Sequence, residues 1–188
     1  MLLTKFLSKE IPYFGRELSP HWVATQIGEF GSAIVAFRGA CSVTTSEMVD
    51  MEDRKQNFHI EAKEMLHFLG EWFEGDLLLA VARQRLLIAG FSEVLRSKLS
   101  AEMAAKVWRR GNDLYVGEQK LSVSIVTATP VSSLFHFGVN IDASGAPVKA
   151  IGLKDLGVDA SELGQEVLAL WADEWRGMEK ARCKVAPR

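Results

Sequence analysis

Cysteine is scarce: Cys41 and Cys183 are the only two in 188 residues, they lie far apart in the chain, and no Cys-x-x-Cys occurs. Neither a disulfide framework nor a thiolate zinc site is indicated, and a reducing, cytoplasmic location is the expectation. Long apolar runs are missing too. Lys5 and Lys9 interrupt the first ten residues before any stretch reaches signal-peptide length, and no window approaches the ~20 apolar residues of a membrane span. A soluble protein without a membrane role is expected. Charge of one sign is also lacking, since 22 Lys and Arg stand against 24 Asp and Glu for a net charge of −2. That balance gives no general pull toward nucleic acid or an anionic surface. The chain contains no Gly-x-Ser-x-Gly, phosphate-binding P-loop, Rossmann fingerprint or His-Glu-x-x-His. The hydrolases, nucleotide-binding folds and zinc proteases carrying those motifs are set aside.

What is present is an ordinary globular composition, 48% hydrophobic, over a length suited to one domain spanning residues 1–188. A chain of this size buries roughly 70% of its unfolded surface. Residues 2–7 read as a first strand. Ser19-Pro20 reads as an N-cap and first helical position for a helix through Glu29. Residues 31–38 form an apolar strand ending at Arg38-Gly39, and strand ends are where sites on α/β-type sheets gather. Residues 40–57 lose period and turn acidic, as a long loop or a loop with one short helical turn. Residues 63–72 fit a strand or a short helix. Gly75 or Asp76 caps the longest helix, Leu77 to about Leu99, whose Gly90 marks close packing against the sheet. The last helix starts at Ser161 and carries Leu163, Val167, Leu170, Trp171, Trp175 and Met178 as its apolar stripe. These elements predict an α+β fold: a mixed or antiparallel sheet with helices packed mainly on one face.

The most informative stretch is Arg109 to Ile141. It reads as three consecutive strands: Leu114-Tyr115-Val116, a turn at Gly117-Glu118-Gln119, Lys120 to Thr129, a stop at Pro130, then Ser132 to Ile141. Alternation puts Lys120, Ser122 and Ser124 on one face of the second strand, and Leu134, His136, Gly138 and Asn140 on one face of the third. An ammonium, two hydroxyls, an imidazole and a carboxamide on neighbouring strands make a pocket wall for an anionic or amide-bearing small molecule.

These residues also carry a family resemblance. Asn112-Asp113-Leu114-Tyr115-Val116, a short turn and Lys120-Leu121 resemble the strand-turn-strand of biotin protein ligases. There the lysine holds the ligand's carboxylate. His136-Phe137-Gly138-Val139-Asn140-Ile141 is similar to the following glycine-x-asparagine strand of biotin and lipoate ligases. Over nearly the whole chain the sequence resembles the domain-of-unknown-function family 366, at Phe37-Arg38-Gly39, Glu47 to Asp50, Met65 to Phe68, Arg83 to Leu86, Lys120 to Ile125 and Ser133 to Asn140. The resemblance implies a biotin/lipoate ligase-like, class II synthetase-like fold. It implies a carboxylate- or acyl-handling ligase or transferase. ATP with Mg²⁺ is the cofactor it suggests. Biotin ligases carry a longer glycine-arginine-rich loop where this chain has only Arg38-Gly39-Ala40-Cys41, so the cofactor, and whether the site is catalytic at all, stay open. Lipoate-type octanoyltransferases place a cysteine after the glycine-x-asparagine strand. Residues 147–152 hold no thiol.

In this reading Lys120 is the catalytic or ligand-holding residue, and Arg38, Gly39, Asn112, Ser122, Ser124, His136 and Asn140 contact the substrate. Arg38 would supply a guanidinium fork and Gly39 a close backbone approach. Asp50, Arg85 and Cys41 are expected at the site mouth, with Asp50 pairing Arg38 or Arg85. Glu47, Asp50, Glu52 and Asp53 are hard-cation ligands by type, but their spacing does not converge on one ion, so no metal is assigned. His67 is a lesser candidate than His136. Three functions are weighed: a ligase-like enzyme, a non-catalytic small-molecule binder that lost the adenylating loop, and a homodimer joined through Trp171 and Trp175 with no ligand.

Overall fold

The computed structural model describes residues 2–187. In chain order its elements are β1 (Leu3–Phe6), α1 (Trp22–Ile27), β2 (Ala33–Val43), α2 (Met51–Lys55), β3 (Ile60–Trp72), α3 (Leu77–Ser97), α4 (Ala101–Ala104), β4 (Val107–Arg110), β5 (Asp113–Val116), β6 (Gln119–Lys120), β7 (Ser122–Ala128), β8 (Ser133–Asp142) and α5 (Ala160–Cys183). A five-stranded mixed sheet has the order β1-β2-β3-β8-β7, with β1 parallel to β2 and the other pairs antiparallel. A three-stranded antiparallel sheet, β4-β5-β6, stands beside it.

Strand alternation divides the core. On one face Ile34, Ala36, Leu66, Phe68, Phe137 and Val139 pack beneath α3 and α5, against Ile88, Phe91, Leu163 and Val167. On the other, Val35, Phe37, Met65 and Leu69 pack against Tyr13 and α1 residue Val23. The two long helices therefore cover one side, and the opposite side is left to loops and the short α1. That division decides where a site can form.

The structure settles some local readings and corrects others. Residues 63–72 are strand, part of the thirteen-residue β3, which is buried along its second half because it pairs on both edges. The strand expected to stop at Arg38-Gly39 continues to Val43. The segment at Ile11 and Tyr13 runs beside it, with Ile11 N donating to the Arg38 carbonyl and Tyr13 N to that of Ala40, both at 2.9 Å. Ser19 does not cap α1. The N-cap is His21, which adopts φ 65° and makes no side-chain cap, while its backbone N–H donates to Glu71 Oε2 at 2.7 Å. Gly90 faces α5 rather than the sheet, since a Cβ there would lie 2.9 Å from Leu170 Cδ2. Asp76 is the α3 cap, accepting from Leu79 N at 2.9 Å.

Trp171 and Trp175, weighed above as interface anchors, are 2% and 4% exposed. They pack with Trp72 inside the molecule, and Arg83 lies 4.2 Å over the Trp175 ring while pairing with Glu74. Core burial, not an interface, accounts for them.

The candidate functional site

On the loop-covered side of the sheet lies a cavity of about 520 Å³. Its floor is β7 and β8, and its walls come from residues 13–18, 43–61, 112–113 and 146–150. Of the residues singled out in the sequence, Lys120, Asn112, Ser122, Ser124, His136, Asn140 and Asp50 line it, while Arg38, Gly39, Arg85 and Cys41 do not.

Lys120 enters from β6, opposite Tyr115. Its Nζ lies 2.8 Å from Asp113 Oδ2, and the side chains are 29% and 24% exposed, so the pair sits at the wall rather than in open solvent. The strand pair that joins them is the reason for the contact: Asp113 begins β5 and Lys120 ends β6, across one tight turn with Gly117 at φ 58°. Asp53 stands near enough to feel both. Burial raises its carboxyl above the ordinary value and Asp50 adds to this, Lys120 opposes, and Asp113 and Glu52 push it up further.

Ser122 and Ser124 do not share a face with Lys120. The chain leaves the strand at Leu121, whose N–H donates to the Leu114 carbonyl. One residue out of period is enough to exchange the faces. Ser122 Oγ accepts from Leu114 N at 2.9 Å, tying the small sheet to the large one. Ser124 Oγ accepts from Gln84 of α3 at 2.8 Å and donates to the His136 carbonyl at 2.7 Å. Both hydroxyls are taken up by protein partners, although the two residues still border the cavity. Val123 and Ile125, paired with Gly138 and His136, present the cavity face of β7 instead. Asn112 is also committed, its carboxamide nitrogen donating to the Ser124 carbonyl.

Arg38 lies on the helix side, where Nε donates to Glu64 Oε1 at 3.0 Å and Nη2 makes a second contact to the same oxygen. Burial tends to raise the Glu64 carboxyl, but the hydrogen bonds from Arg38 and Lys154 outweigh it and hold the group below its ordinary value. The guanidinium is thus neutralised away from the cavity. Gly39 serves no ligand either. A Cβ there would lie 1.9 Å from the Ile11 carbonyl oxygen, so the glycine is required by the neighbouring chain. Asp50 pairs with neither Arg38 nor Arg85. It caps α2, accepting from the backbone of Glu52 at 2.8 Å and Asp53 at 3.3 Å. Arg85 is exposed on α3. Cys41 is buried, and burial with the nearby Glu17 pushes its thiol up to about 12, which leaves it unreactive near neutral pH.

His136 has a partner that the sequence ranked below it. His67 Nδ1 and His136 Nε2 are 3.1 Å apart, and His67 Nε2 lies 3.2 Å from the Gly39 carbonyl. Register brings them together, since His67 pairs with Gly138 and Leu69 with His136 on adjacent strands. Tyr13 stacks on His136 with ring centroids 4.0 Å apart. Burial lowers His67 to about 4 and pulls His136 well below its ordinary range, the second ring adding to the effect, so both imidazoles are neutral at pH 7. Asn140 donates through Nδ2 to the carbonyls of Lys120 at 3.3 Å and Ile151 at 3.2 Å.

Sequence reasoning missed Tyr13 altogether, since nothing in Ile11-Pro12-Tyr13 marks a cavity wall. It also missed Met48, Val123 and Ile125, which line the apolar part. Glu47, Asp50 and Asp53 line the cavity and Glu52 does not. Among the described residues no group of three or more His, Cys, Asp or Glu is arranged to hold a metal ion. No helix among them is long and apolar enough to cross a membrane.

The fold, a mixed sheet with long helices packed on one face, is that of solved biotin and lipoate protein ligases. The biotin acetyl coenzyme A carboxylase synthetase of Helicobacter pylori, solved with biotinylated ATP, superposes with a TM-score of 0.55 at 18% identity, over 92% of this chain and 74% of that one. At that identity the likeness is one of fold alone. Within this class the chain belongs to the family described as domain of unknown function DUF366, whose model matches residues 2–186. It is 34% identical to the uncharacterized protein MJ0805 of Methanocaldococcus jannaschii, over 97% of this chain and 83% of that protein. A protein of unknown function from Pyrococcus horikoshi has the same fold throughout, with a TM-score of 0.92, 35% identity and full coverage of both chains.

Proposed function

We propose that the protein binds a small carboxylic acid in this cavity, with Lys120 holding the carboxylate, and handles it in the manner of a ligase or acyltransferase. One observation carries the reading: Lys120 is the sole lysine or arginine among the described residues lining the cavity. It is held at the wall by a single partner, Asp113, that a ligand carboxylate can replace. The apolar surface of Val43, Met48, Val123 and Ile125 accommodates the body of the acid.

A second reading, binding without adenylation, is favoured by the charge of the walls. Five carboxylates, on Glu47, Asp50, Asp53, Glu61 and Asp113, line the cavity, and no arginine is among the described lining residues. One carboxylate exchanging for Asp113 is tolerable there. A triphosphate would meet like charge with no guanidinium to offset it.

Thermal unfolding against carboxylic acids, with and without Mg-ATP, tests both. A ligand at 100 times its dissociation constant adds ~2.7 kcal/mol, which for this length raises the midpoint by roughly 5–10 °C. Lys120→Ala is expected to abolish the shift, and Asp113→Asn, which frees the ammonium, to enlarge it. A shift that survives in Lys120→Ala removes Lys120 from the site. Pyrophosphate release with acid and Mg-ATP together separates ligase from binder.

A further inference from the structure

Helix α3 is apolar on more sides than one chain covers. Ala80, Leu87, Ile88, Phe91 and Leu95 face the core, as its apolar period requires. The opposite face is apolar as well. Leu78 is 79% exposed, Leu79 38% and Leu86 40%, with Ala82 and Ala89 beside them, and Arg85 is the only exposed charge from Leu77 to Ser92. A helix that lacks a polar face is a helix covered all round.

The patch does not end with α3. Helix α5 runs antiparallel beside it, with Arg83 over Trp175 at one end and Lys98 against Glu162 and Glu166 at the other. Gly90 leaves a groove of about 210 Å³ between the two, walled by Leu86 and the 37% exposed Leu170 and rimmed by Glu93 and Glu174. At ~1.5 Å per residue the 21 residues of α3 run about 32 Å, and two helices side by side are about 20 Å wide. The face is thus on the order of 600 Å², close to the ~800 Å² per partner of a standard interface. Exposed apolar surface of this extent marks an interaction site.

Two charges say what covers it. Arg85 and Glu93 are exposed and, unlike Arg83 and Lys98, make no ion pair among the described residues. Ala89 stands midway, so the three are four residues apart on one stripe of the helix. That spacing is its own complement. Two copies of α3 crossing antiparallel at Ala89 bring each Arg85 to the Glu93 of the other copy, and a twofold axis makes two such pairs. A parallel crossing would set arginine on arginine.

We infer that the outer face of α3, with the adjoining edge of α5, is where a second copy of this chain docks, in an antiparallel twofold contact centred on Ala89. Burial of Leu79, Ala82, Leu86 and Leu170 supplies the attraction, and the crossed pairs of Arg85 and Glu93 fix the register. The cavity lies on the other face of the sheet, so both copies keep it open and the inference stands apart from the reading at Lys120.

Sedimentation equilibrium of the full chain is the test. Wild type is expected to weigh twice 20.8 kDa at high concentration, and Leu86→Lys to be monomeric at the same loading. Arg85→Glu and Glu93→Arg each turn two attractions into repulsions, and each is expected to weaken the dimer about tenfold. Combining the two reversals rebuilds both pairs with the signs exchanged and is expected to restore wild-type affinity, a recovery that a folding defect cannot mimic. Circular dichroism spectra of all the variants should match wild type. A wild-type protein that stays monomeric overturns the inference, even if the face then captures some other protein. So does a dimer that survives Leu86→Lys or is indifferent to the charge reversals, and so does a double reversal no tighter than the single ones.

Discussion

Gly39→Ala is expected to lower the melting midpoint by roughly 6–12 °C or to prevent folding, at a cost of about 3 kcal/mol or more. The methyl group would lie 1.9 Å from the carbonyl oxygen of Ile11 and 2.6 Å from its carbon, inside any tolerable contact. Neither partner can yield cheaply. Ile11 N is bonded to the Arg38 carbonyl at 2.9 Å, Tyr13 N to that of Ala40 at 2.9 Å, and Ser42 N returns to the Tyr13 carbonyl at 3.0 Å. Moving Ile11 therefore strips backbone bonds from β2 and carries Tyr13 away from His136. Thermal melts of Gly39→Ala beside Gly28→Ala give the comparison. Gly28 has open space around its Cβ position, though its φ of 84° adds a smaller strain. A Gly39→Ala protein as stable as wild type would mean that the segment at residues 11–13 is not held against the strand.

The second large effect is acid lability. Both imidazoles titrate below their unfolded value near 6.5, His67 at about 4 and His136 also well below it, so as the pH falls under 6.5 the unfolded chain binds protons that the native chain refuses. Stability from this source is intact above pH 6.5, falls as the pH drops further, and levels off below the native values. For His67 alone, lowered to about 4, the loss is on the order of 3 kcal/mol by pH 4. Tyr13 and Cys41, packed nearby, are raised instead and stay neutral throughout, so they add nothing to this slope. Urea unfolding at pH 7.0, 5.5 and 4.5 measures it. His67→Gln should be weaker than wild type at neutral pH yet lose distinctly less on acidification, and parallel losses in the two proteins would show that the pair does not govern the slope.

Much of the fold was legible because it is written in local period. The two long helices announced themselves through apolar spacing, the first also through a cap at Gly75 or Asp76, and the strands of the central meander through alternation. The ion pair of Lys120 and Asp113 was within reach because one turn separates them. What escaped was set by distant pairing. Arg38 reads as a free guanidinium until Glu64 arrives from the neighbouring strand, and His67 looks ordinary until register lays it beside His136. Ser122 and Ser124 were misplaced for a smaller reason: the chain leaves the strand at Leu121, and a reading by alternate residues passes straight through the break. Gly39 was recognised as a place of close approach, but the approaching group is the protein's own backbone.

The two cysteines have a practical consequence. Cys183 is exposed on the last helix while Cys41 is buried where residues 11–13 clasp β2. A thiol reagent should therefore titrate one group at once and the second only when that clasp opens. The delay between the two is a clock for breathing of the cavity wall, and a small molecule that binds in the cavity should slow it in proportion to its occupancy.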